Sequence, residues 1–353
     1  MLLTPKSSQI NVMIVNDSPF MIEILKNLIT CDGRIRVSAT ARDGFEALNK
    51  IKYVSTDVVL LDLEMPNMDG LTFIEKVMKE NSIPIIVVSS YSQTGAKLVL
   101  DALELGAVDF VSISNTDPIS MGNLGNILVS KIDVVSRSNP DVLVPKAISK
   151  LKPYDVKFDT VKNSESRVVV IGASTGAPRI ITNILRDIPS DIPASFLIVQ
   201  HMSKDFTSTF TRRLNDISNI PVKEASNGDS IKIGEALIAP GDFHMIVKSP
   251  DHVEINQSPK RFGARPSVNV TMVSASEVFG ANTIGILLSG MGQDGAFGMR
   301  MIKKRHGTTL AQNESSSIIF GMAKAAQNIN AVDKMIDADN LISEIVKAVM
   351  THV

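Results

Sequence analysis

The sequence contains a single cysteine, no tryptophan and only five histidines among 353 residues. With one cysteine, Cys31, the chain cannot form an internal disulfide or a zinc site built from several thiolates. Aromatic residues make up 5% of the chain, so valine, isoleucine, leucine and methionine must fill its core. The histidines are few enough for each to be considered in turn as a catalytic base.

An excess of one charge and long apolar runs are also absent. The 36 lysines and arginines balance 37 acidic residues, which argues against a generally basic nucleic-acid-binding protein. The first residues lack the apolar segment of a signal peptide, and no run approaches the ~18 residues that a membrane-spanning helix needs. These absences predict a cytoplasmic protein that neither binds nucleic acid nor inserts into a membrane.

Length and hydrophobic patterning predict two α/β domains. Short β-branched runs alternate with amphipathic stretches in the first part of the chain, which is typical of a five-stranded doubly wound sheet. This periodicity fails near residues 145–167, where prolines and charged residues are frequent. We predict a first domain over 9–128, a final helix and linker over 129–165, and a doubly wound, mostly parallel, hydrolase-type domain over 166–353.

Polar side chains follow three predicted strands of the first domain. Asp17 comes after the first strand, Asp62 ends the third and Ser89 ends the fourth. Such positions meet at the carboxyl edge of a parallel sheet, where ligands bind. Two converging carboxylates repel each other unless a hard cation such as Mg²⁺ lies between them. Taken alone, however, each acid fits a solvated loop residue better.

The segments that carry these residues resemble the receiver domain of response regulators in order and spacing. They read Val-Asn-Asp-Ser at 15–18, Leu-Asp-Leu-Glu-Met-Pro-Asn-Met-Asp-Gly at 61–70 and Val-Ser-Ser at 88–90. The resemblance implies phosphorylation of Asp62 by a histidine kinase phosphodonor. It also implies Mg²⁺ held by Asp17 and Asp62, with Ser89 as the switch hydroxyl.

Two positions depart from the receiver pattern. Receivers usually have two successive acids after the first strand, whereas here the first of the pair is Asn16. They also usually have a lysine after the fifth strand, where this chain has Ile113. No aliphatic side chain can replace the ammonium that would pair with a phosphoryl group. We therefore predict weak phospho-switching.

A serine of the second domain lies at a predicted strand-to-helix turn. Residues 172–176 read Gly-Ala-Ser-Thr-Gly, a spacing that permits a sharp turn exposing the hydroxyl of Ser174. The following helix would direct unpaired N–H groups towards a developing oxyanion. Alternatively, such a turn binds phosphate or only packs tightly.

A nucleophilic serine requires a base and a carboxylate that orients it. His201 is the best-placed histidine because it follows a buried strand, and His244 is second. Asp294 lies in a glycine-rich loop after another buried strand and qualifies as the carboxylate. The order serine, histidine, aspartate differs from the order in α/β-hydrolases, so that family does not match.

At these residues the chain resembles the chemotaxis protein-glutamate methylesterases. The similar segments lie at 171–176, 199–202, 239–245, 265–268, 290–296 and 320–322. The resemblance implies that Ser174 attacks the γ-methyl ester of a glutamate on methyl-accepting chemotaxis receptors, with His201 as base and Asp294 as its partner. It further implies deamidation of particular glutamines, and the esterase chemistry needs no cofactor.

The resemblance also suggests where an oxyanion would bind. The N–H of Thr175, expected at the start of the helix, is the candidate donor, with Met291 nearby. Departures from the family pattern are mild: Ala177, Ser203 and Ala323 replace a glycine and two prolines, and none removes a catalytic group.

Two other classes of protein are weighed against this interpretation. A non-enzymatic signalling or scaffold protein with a degenerate receiver is the main alternative, but it leaves the set of Ser174, His201 and Asp294 without a purpose. A receiver-linked DNA-binding regulator would need a basic recognition helix, and the sequence has none.

Overall fold

The computed structural model describes residues 9–90, 92–113, 118–138, 140–143 and 167–351. The chain divides into two units, Met1–Lys146 and Ala147–Val353. Most of the predicted linker lies outside the described residues. Within them, no helix is both long and apolar enough to cross a membrane.

The first unit is a five-stranded parallel sheet with the strand order β2-β1-β3-β4-β5. Its strands are β1 (Ile10–Val15), β2 (Ile35–Ala41), β3 (Val58–Leu61), β4 (Ile85–Ser90) and β5 (Asp109–Ile113). Its helices are α1 (Pro19–Thr30), α2 (Gly44–Ile51), α3 (Gly70–Glu80), α4 (Gln93–Leu105), α5 (Pro118–Val135) and α6 (Pro140–Leu143). The predicted doubly wound class is confirmed.

Polar N-caps fix where four of these helices begin. The side chains of Ser18, Asp43, Asp69 and Ser92 each accept a hydrogen bond from the backbone N–H three residues later. Such caps satisfy one of the donors that the first helical turn leaves unpaired. Each cap therefore ends the loop that follows a strand, and these loops form the carboxyl edge of the sheet.

Helix α5 ends at Val135, within the segment 129–165 where we predicted the final helix and linker. The buried side chains of Leu124, Leu128, Ile132 and Val135 recur at helical spacing along it, and the helix packs against α1. This continuous apolar stripe carries the helix across the domain boundary that we placed at 128/129.

The second unit contains a seven-stranded parallel sheet with the order β14-β13-β12-β6-β7-β9-β8, and an antiparallel pair, β10 and β11. Its strands are β6 (Arg167–Ala173), β7 (Ala194–Gln200), β8 (Val222–Glu224), β9 (Ala236–Ile238), β10 (His244–Ser249), β11 (His252–Asn256), β12 (Thr283–Leu287), β13 (Thr308–Gln312) and β14 (Lys334–Ile336). Its helices are α7 (Pro178–Asp187), α8 (Lys204–Ile217), α9 (Val268–Phe279), α10 (Ala296–Lys304), α11 (Met322–Asn328) and α12 (Leu341–Met350). The expected mostly parallel sheet is confirmed.

The three central strands of this sheet are entirely buried. Every residue of β6, β7 and β12 is inaccessible or nearly so. Strands covered on both faces must be apolar along their whole length, which explains the uninterrupted β-branched runs. Met272 of α9 and Met299 of α10 belong to the core cluster that covers alternate strand residues. This rigid centre positions the loops that follow β6, β7 and β12.

Candidate active site

Three neighbouring strands of the second sheet lead into the loops that carry the predicted catalytic residues. β12, β6 and β7 lie side by side, and they are followed by Asp294, Ser174 and His201, respectively. His201 N–H donates to the Ala173 carbonyl at 2.9 Å, and Ser174 N–H donates to the Ser289 carbonyl at 3.1 Å. The structure thus brings the three loops together at the carboxyl edge of the sheet, where parallel sheets bind ligands.

Ser174 lies in a tight turn between strand and helix. Ala177 N–H donates to the Ser174 carbonyl at 3.1 Å, and Gly176 between them has a φ of 80°. Glycine suits this left-handed conformation because it has no Cβ to clash. Helix α7 begins only at Pro178, whose fixed φ suits the first helical position. Thr175, which we expected at the helix start, therefore lies in this turn instead.

His201 and Asp294 are in direct contact, with Nε2 of the imidazole 2.9 Å from Oδ2 of the carboxylate. An ionised carboxylate only accepts hydrogen bonds, so Nε2 carries the proton of the neutral ring and Nδ1 keeps its lone pair. The side chain of His201 is 19% exposed, whereas that of Asp294 is 3% exposed. A reactant from solvent can therefore reach the imidazole but not the carboxylate.

Helix α9 directs its first N–H groups at the Asp294 carboxylate. Oδ1 accepts from Ser267 Oγ at 2.9 Å and from Asn269 N–H at 3.0 Å, and Oδ2 accepts from Val268 N–H at 2.8 Å. Burial alone would raise the pKa of Asp294. The hydrogen bond from His201, together with those from Asn269 and Ser267, outweighs burial and holds the pKa of Asp294 below its usual range. The partner of His201 is thus a stable anion.

Ser267 and His244 form a layer behind Asp294 that was not predicted from the sequence. Ser267 N–H donates to Nδ1 of His244 at 3.2 Å, and His244 Nε2 lies 3.2 Å from the Pro259 carbonyl, to which it donates. Burial lowers the pKa of His244, and both of its ring nitrogens are occupied. His244 therefore supports the site from within. A serine directly before an apolar helix is a common N-cap, and that signal could have identified Ser267.

Two further buried side chains connect the loops. Gln200 Nε2 donates to the carbonyls of Ser174 and His201 at 3.1 and 3.2 Å. Only the nitrogen end of the carboxamide can donate to two carbonyls, so its orientation is fixed. Ser289 Oγ donates to the Thr175 carbonyl at 2.8 Å. No local sequence signal indicates these links, because they join loops far apart in the chain.

Met291, the predicted neighbour of the oxyanion, lies in the glycine-rich loop after β12 and is 37% exposed. The backbone of this loop is fixed by Gly290 N–H, which donates to the Ile319 carbonyl at 3.0 Å. It is also fixed by Gly321 N–H, which donates to the Gly290 carbonyl at 3.1 Å. Met291 therefore presents an apolar side chain to solvent from an anchored backbone.

The first unit has an acidic pocket of its own. Asn16 Nδ2 donates to Asp62 Oδ2 at 2.8 Å, and Glu64 N–H donates to Oδ1 at 3.2 Å. Burial raises the pKa of Asp62, and the nearby negative charge of Asp17 adds to this increase. The asparagine that stands in place of an acid thus acts as a hydrogen-bond donor to the phosphorylation candidate.

The remaining receiver residues lie at the same sheet edge. Ser89 is buried at the end of β4, and Ile113 ends β5 in register with Ser90. Among the described residues, no group of three or more acidic, histidine or cysteine side chains could hold a metal ion. Asp17 and Asp62 remain as a pair, which fits Mg²⁺ because that ion takes one or two carboxylates and keeps several waters.

Comparisons with known proteins agree with this architecture. The CheB methylesterase family model matches residues 169–345, and the response regulator receiver domain model matches residues 12–116. The protein-glutamate methylesterase/protein-glutamine glutaminase of Pyrococcus horikoshii is 39% identical over 345 residues, which cover 97% of this chain and 94% of that protein. Its counterpart from Caldanaerobacter subterraneus is 40% identical over 332 residues, 90% of each chain.

A solved structure matches the second unit. The CheB methylesterase catalytic domain of Thermotoga maritima aligns with a TM-score of 0.50 and 34% identity, covering 52% of this chain and 98% of that one. Fold and site together define a protein with a receiver domain and a second α/β domain, in which a serine, a histidine and an aspartate lie at the carboxyl edge of the parallel sheet. The chain belongs to the CheB methylesterase family, which confirms the resemblance seen in the sequence motifs.

Gly290 leaves no room for a side chain next to Ser174. A Cβ at this position would lie 2.4 Å from Met322 Sδ and 2.8 Å from Ser174 Cβ. We expect Gly290→Ala to lower kcat/KM for a small activated ester by about 100-fold, because small misplacements of reacting groups are costly. Gly122→Ala, where a Cβ meets nothing within 4 Å, is the control. Unchanged turnover by Gly290→Ala would contradict this packing.

The network around Asp294 predicts acid sensitivity. Because the pKa of Asp294 is lowered in the folded chain, its stabilisation is complete above the usual value of 3.8 and is lost as the pH falls below that value. Asp294→Asn should destabilise the second unit at neutral pH by about 1.5–3 kcal/mol, because His201 and the first turn of α9 lose a charged acceptor. Its deficit relative to wild type should shrink below pH 3.8. Calorimetry of the intact chain, with Asp251→Asn as an exposed control, measures both effects; a deficit independent of pH would refute the assignment.

Proposed function

We propose that this protein hydrolyses glutamate γ-methyl esters on chemotaxis receptors by a serine–histidine–aspartate mechanism. The observation that carries the proposal is the contact between His201 and the buried anion Asp294. Backbone hydrogen bonds connect the loops that carry these two residues to the segment of Ser174. The relatives are named as protein-glutamate methylesterases and protein-glutamine glutaminases, which indicates a glutamate methyl ester and a glutamine as substrates. Serine, base and acid on three adjacent loops supply the chemistry.

In the first half-reaction, Ser174 Oγ attacks the ester carbonyl carbon and its proton passes to Nδ1 of His201. Asp294 stabilises the imidazolium that forms. The tetrahedral intermediate then collapses as His201 returns the proton to the methoxy oxygen, and methanol leaves. In the second half-reaction, water gives a proton to His201 and its oxygen attacks the acyl carbon. The bond from that carbon to Ser174 Oγ breaks as His201 returns the proton to Oγ, and the carboxylic acid released then ionises. Free carboxylate and the Ser174 hydroxyl are restored.

The oxyanion of this intermediate needs backbone donors. We assign Thr175 N–H and the backbone near Met291 to this role, because the turn and the anchored loop flank Ser174. One such donor stabilises the transition state by about 2.7–4 kcal/mol. Glutamine would follow the same route, with ammonia in place of methanol. The esterase chemistry requires no metal or cofactor.

Hydrolysis changes the charge of the receptor. A neutral ester becomes a carboxylate, and a new charge on a receptor helix alters its electrostatic interactions. A scaffold without activity would give no reason to bury the Asp294 charge against His201, since a buried charge is costly. The expected cytoplasmic location, without nucleic-acid binding or membrane insertion, stays a prediction.

We further propose that Asp62 accepts a phosphoryl group from a histidine kinase. Asp17 and Asp62 would hold Mg²⁺, which supplies positive charge next to the incoming phosphate, and Ser89 would be the switch hydroxyl. The donated hydrogen bond from Asn16 and the aliphatic side chain of Ile113 weaken this switch. The first reduces the nucleophilicity of Asp62, and the second removes a cation.

Methanol release from methylated receptor tests the esterase proposal. We expect release by wild type and a loss of about 10⁴-fold or more for Ser174→Ala, as when a triad member is removed from a serine hydrolase. Ser208→Ala, an exposed serine of α8, is the matched control. Absence of release by wild type would end the esterase proposal, and equal release by both would end the assignment of Ser174.

Acetyl phosphate with Mg²⁺, followed by intact mass measurement, tests the receiver. We expect slow, partial labelling of wild type and none of Asp62→Asn. The double variant Asn16→Asp, Ile113→Lys should be labelled about tenfold faster, because a charge-assisted hydrogen bond contributes about 1.5–3 kcal/mol. Rapid stoichiometric labelling of wild type would contradict a weakened switch.

A further inference from the structure

A short hairpin near the active site has an unusual tip. Arg261 and Ala264 form an antiparallel bridge, donating N–H groups to each other's carbonyls at 3.0 and 2.9 Å. The two residues between them, Phe262 and Gly263, have φ values of 50° and 76°. Two successive positive φ angles are the pattern of a type I′ turn, in which asparagine followed by glycine is the favoured pair.

Phenylalanine is poorly suited to this position. A left-handed φ is uncommon outside glycine, asparagine and aspartate, and a bulky side chain makes it a strained exception. The strain is not offset by burial, since Phe262 is 61% exposed. Strain of this kind clusters at sites where a side chain has a role beyond folding. An aromatic ring is thus held out into solvent at a cost in stability.

The tip is also positively charged. Lys260 and Arg261 precede Phe262 and are exposed, and neither forms an ion pair with any residue that the structure describes. Of the nearby acids, Glu254 is already paired with Lys248 at 2.9 Å. The segment 257–265 contains three cations and no acid. The tip therefore presents two cations that are not paired with an acid, directly before an exposed aromatic ring.

Hydrogen bonds connect the base of the hairpin to the catalytic carboxylate. Arg265 donates to the carbonyls of Gln257 and Ser258 at 2.9 and 3.2 Å and closes the loop. From the adjacent Pro259, the chain of hydrogen bonds described above runs through His244 and Ser267 to Asp294. The tip begins at Lys260, the residue directly after Pro259, so this chain of hydrogen bonds starts one residue away from it.

We propose that the tip formed by Lys260, Arg261 and Phe262 is the recognition element for an acidic peptide segment around the scissile ester. This inference rests on the proposed esterase function. Each turnover leaves a carboxylate, so a segment with several modifiable glutamates becomes more negative as it is processed. Exposed cations next to the site attract such a segment, and the ring supplies apolar contact along it.

Two substrates separate recognition from chemistry. Both are peptides with one glutamate γ-methyl ester; in one the flanking residues include several glutamates, and in the other these are glutamines. Wild type should show a lower KM for the acidic peptide, and this preference should weaken with added salt. A small activated ester reports the catalytic residues alone.

Variants of the tip should reduce only the preference for the acidic peptide over the glutamine peptide. Lys260→Ser and Arg261→Ser should each raise KM for the acidic peptide about threefold, the scale of an exposed ion pair, and leave the glutamine peptide and small ester unchanged. Lys304→Ser removes an exposed charge at the far end of α10 and is the control. If wild type hydrolyses none of the three substrates, the esterase function is refuted. If wild type hydrolyses both peptides with equal KM, only the proposal about the tip is refuted.

Phe262→Asn provides an independent test. Asparagine followed by Gly263 suits the turn, so the midpoint of thermal unfolding should rise. KM for the acidic peptide should also rise, about fivefold, because the aromatic contact is lost. A more stable variant with weaker recognition is the result expected of a strained binding residue. A variant with lower stability, or with unchanged KM, would overturn the role of Phe262.

Discussion

The second unit depends on one buried charge, the carboxylate of Asp294. It accepts hydrogen bonds from His201 on one side and from the first turn of α9 on the other. An isolated buried carboxylate would be strongly destabilising, and only this set of donors makes it tolerable. The same contacts fix the tautomer of the imidazole. The geometry around His201 and the local stability are therefore properties of a single network, and neither can be altered without the other.

The first unit shows the opposite balance. Burial and the charge of Asp17 both act against ionised Asp62, and a neutral amide from Asn16 is the side-chain donor that it receives. Asn16 and Ile113 stand where receivers usually have an acid and a lysine, so the pocket has one anion and one cation fewer than that pattern. The five-stranded sheet forms with Asn16 and Ile113 in place, so both residues are compatible with the receiver fold.

The fold was predictable because it rests on local patterns. Uninterrupted β-branched runs such as that of β6 indicate a covered parallel sheet, and polar residues such as Ser18 indicate helix starts. The candidate residues at the strand ends could also be predicted, since the topology of a parallel sheet alone brings them to one edge. Gln200 and the buried role of His244 could not be predicted, because their partners lie on loops whose proximity is created by tertiary packing. For Ser267 the sequence indicates only a helix N-cap, and its hydrogen bond to Asp294 also depends on that packing.

Links across the sheet edge also affect how the chain acquires activity. The contact of His201 with Asp294 spans 93 residues, and that of Ser289 with Thr175 spans 114. Contacts of such high sequence separation require closure of long loops before they contribute any stability. A chain in which β6, β7 or β12 has not yet joined the sheet lacks contacts that bring Ser174, His201 and Asp294 to one edge. The arrangement of Ser174, His201 and Asp294 is consequently completed only when the centre of the sheet has formed.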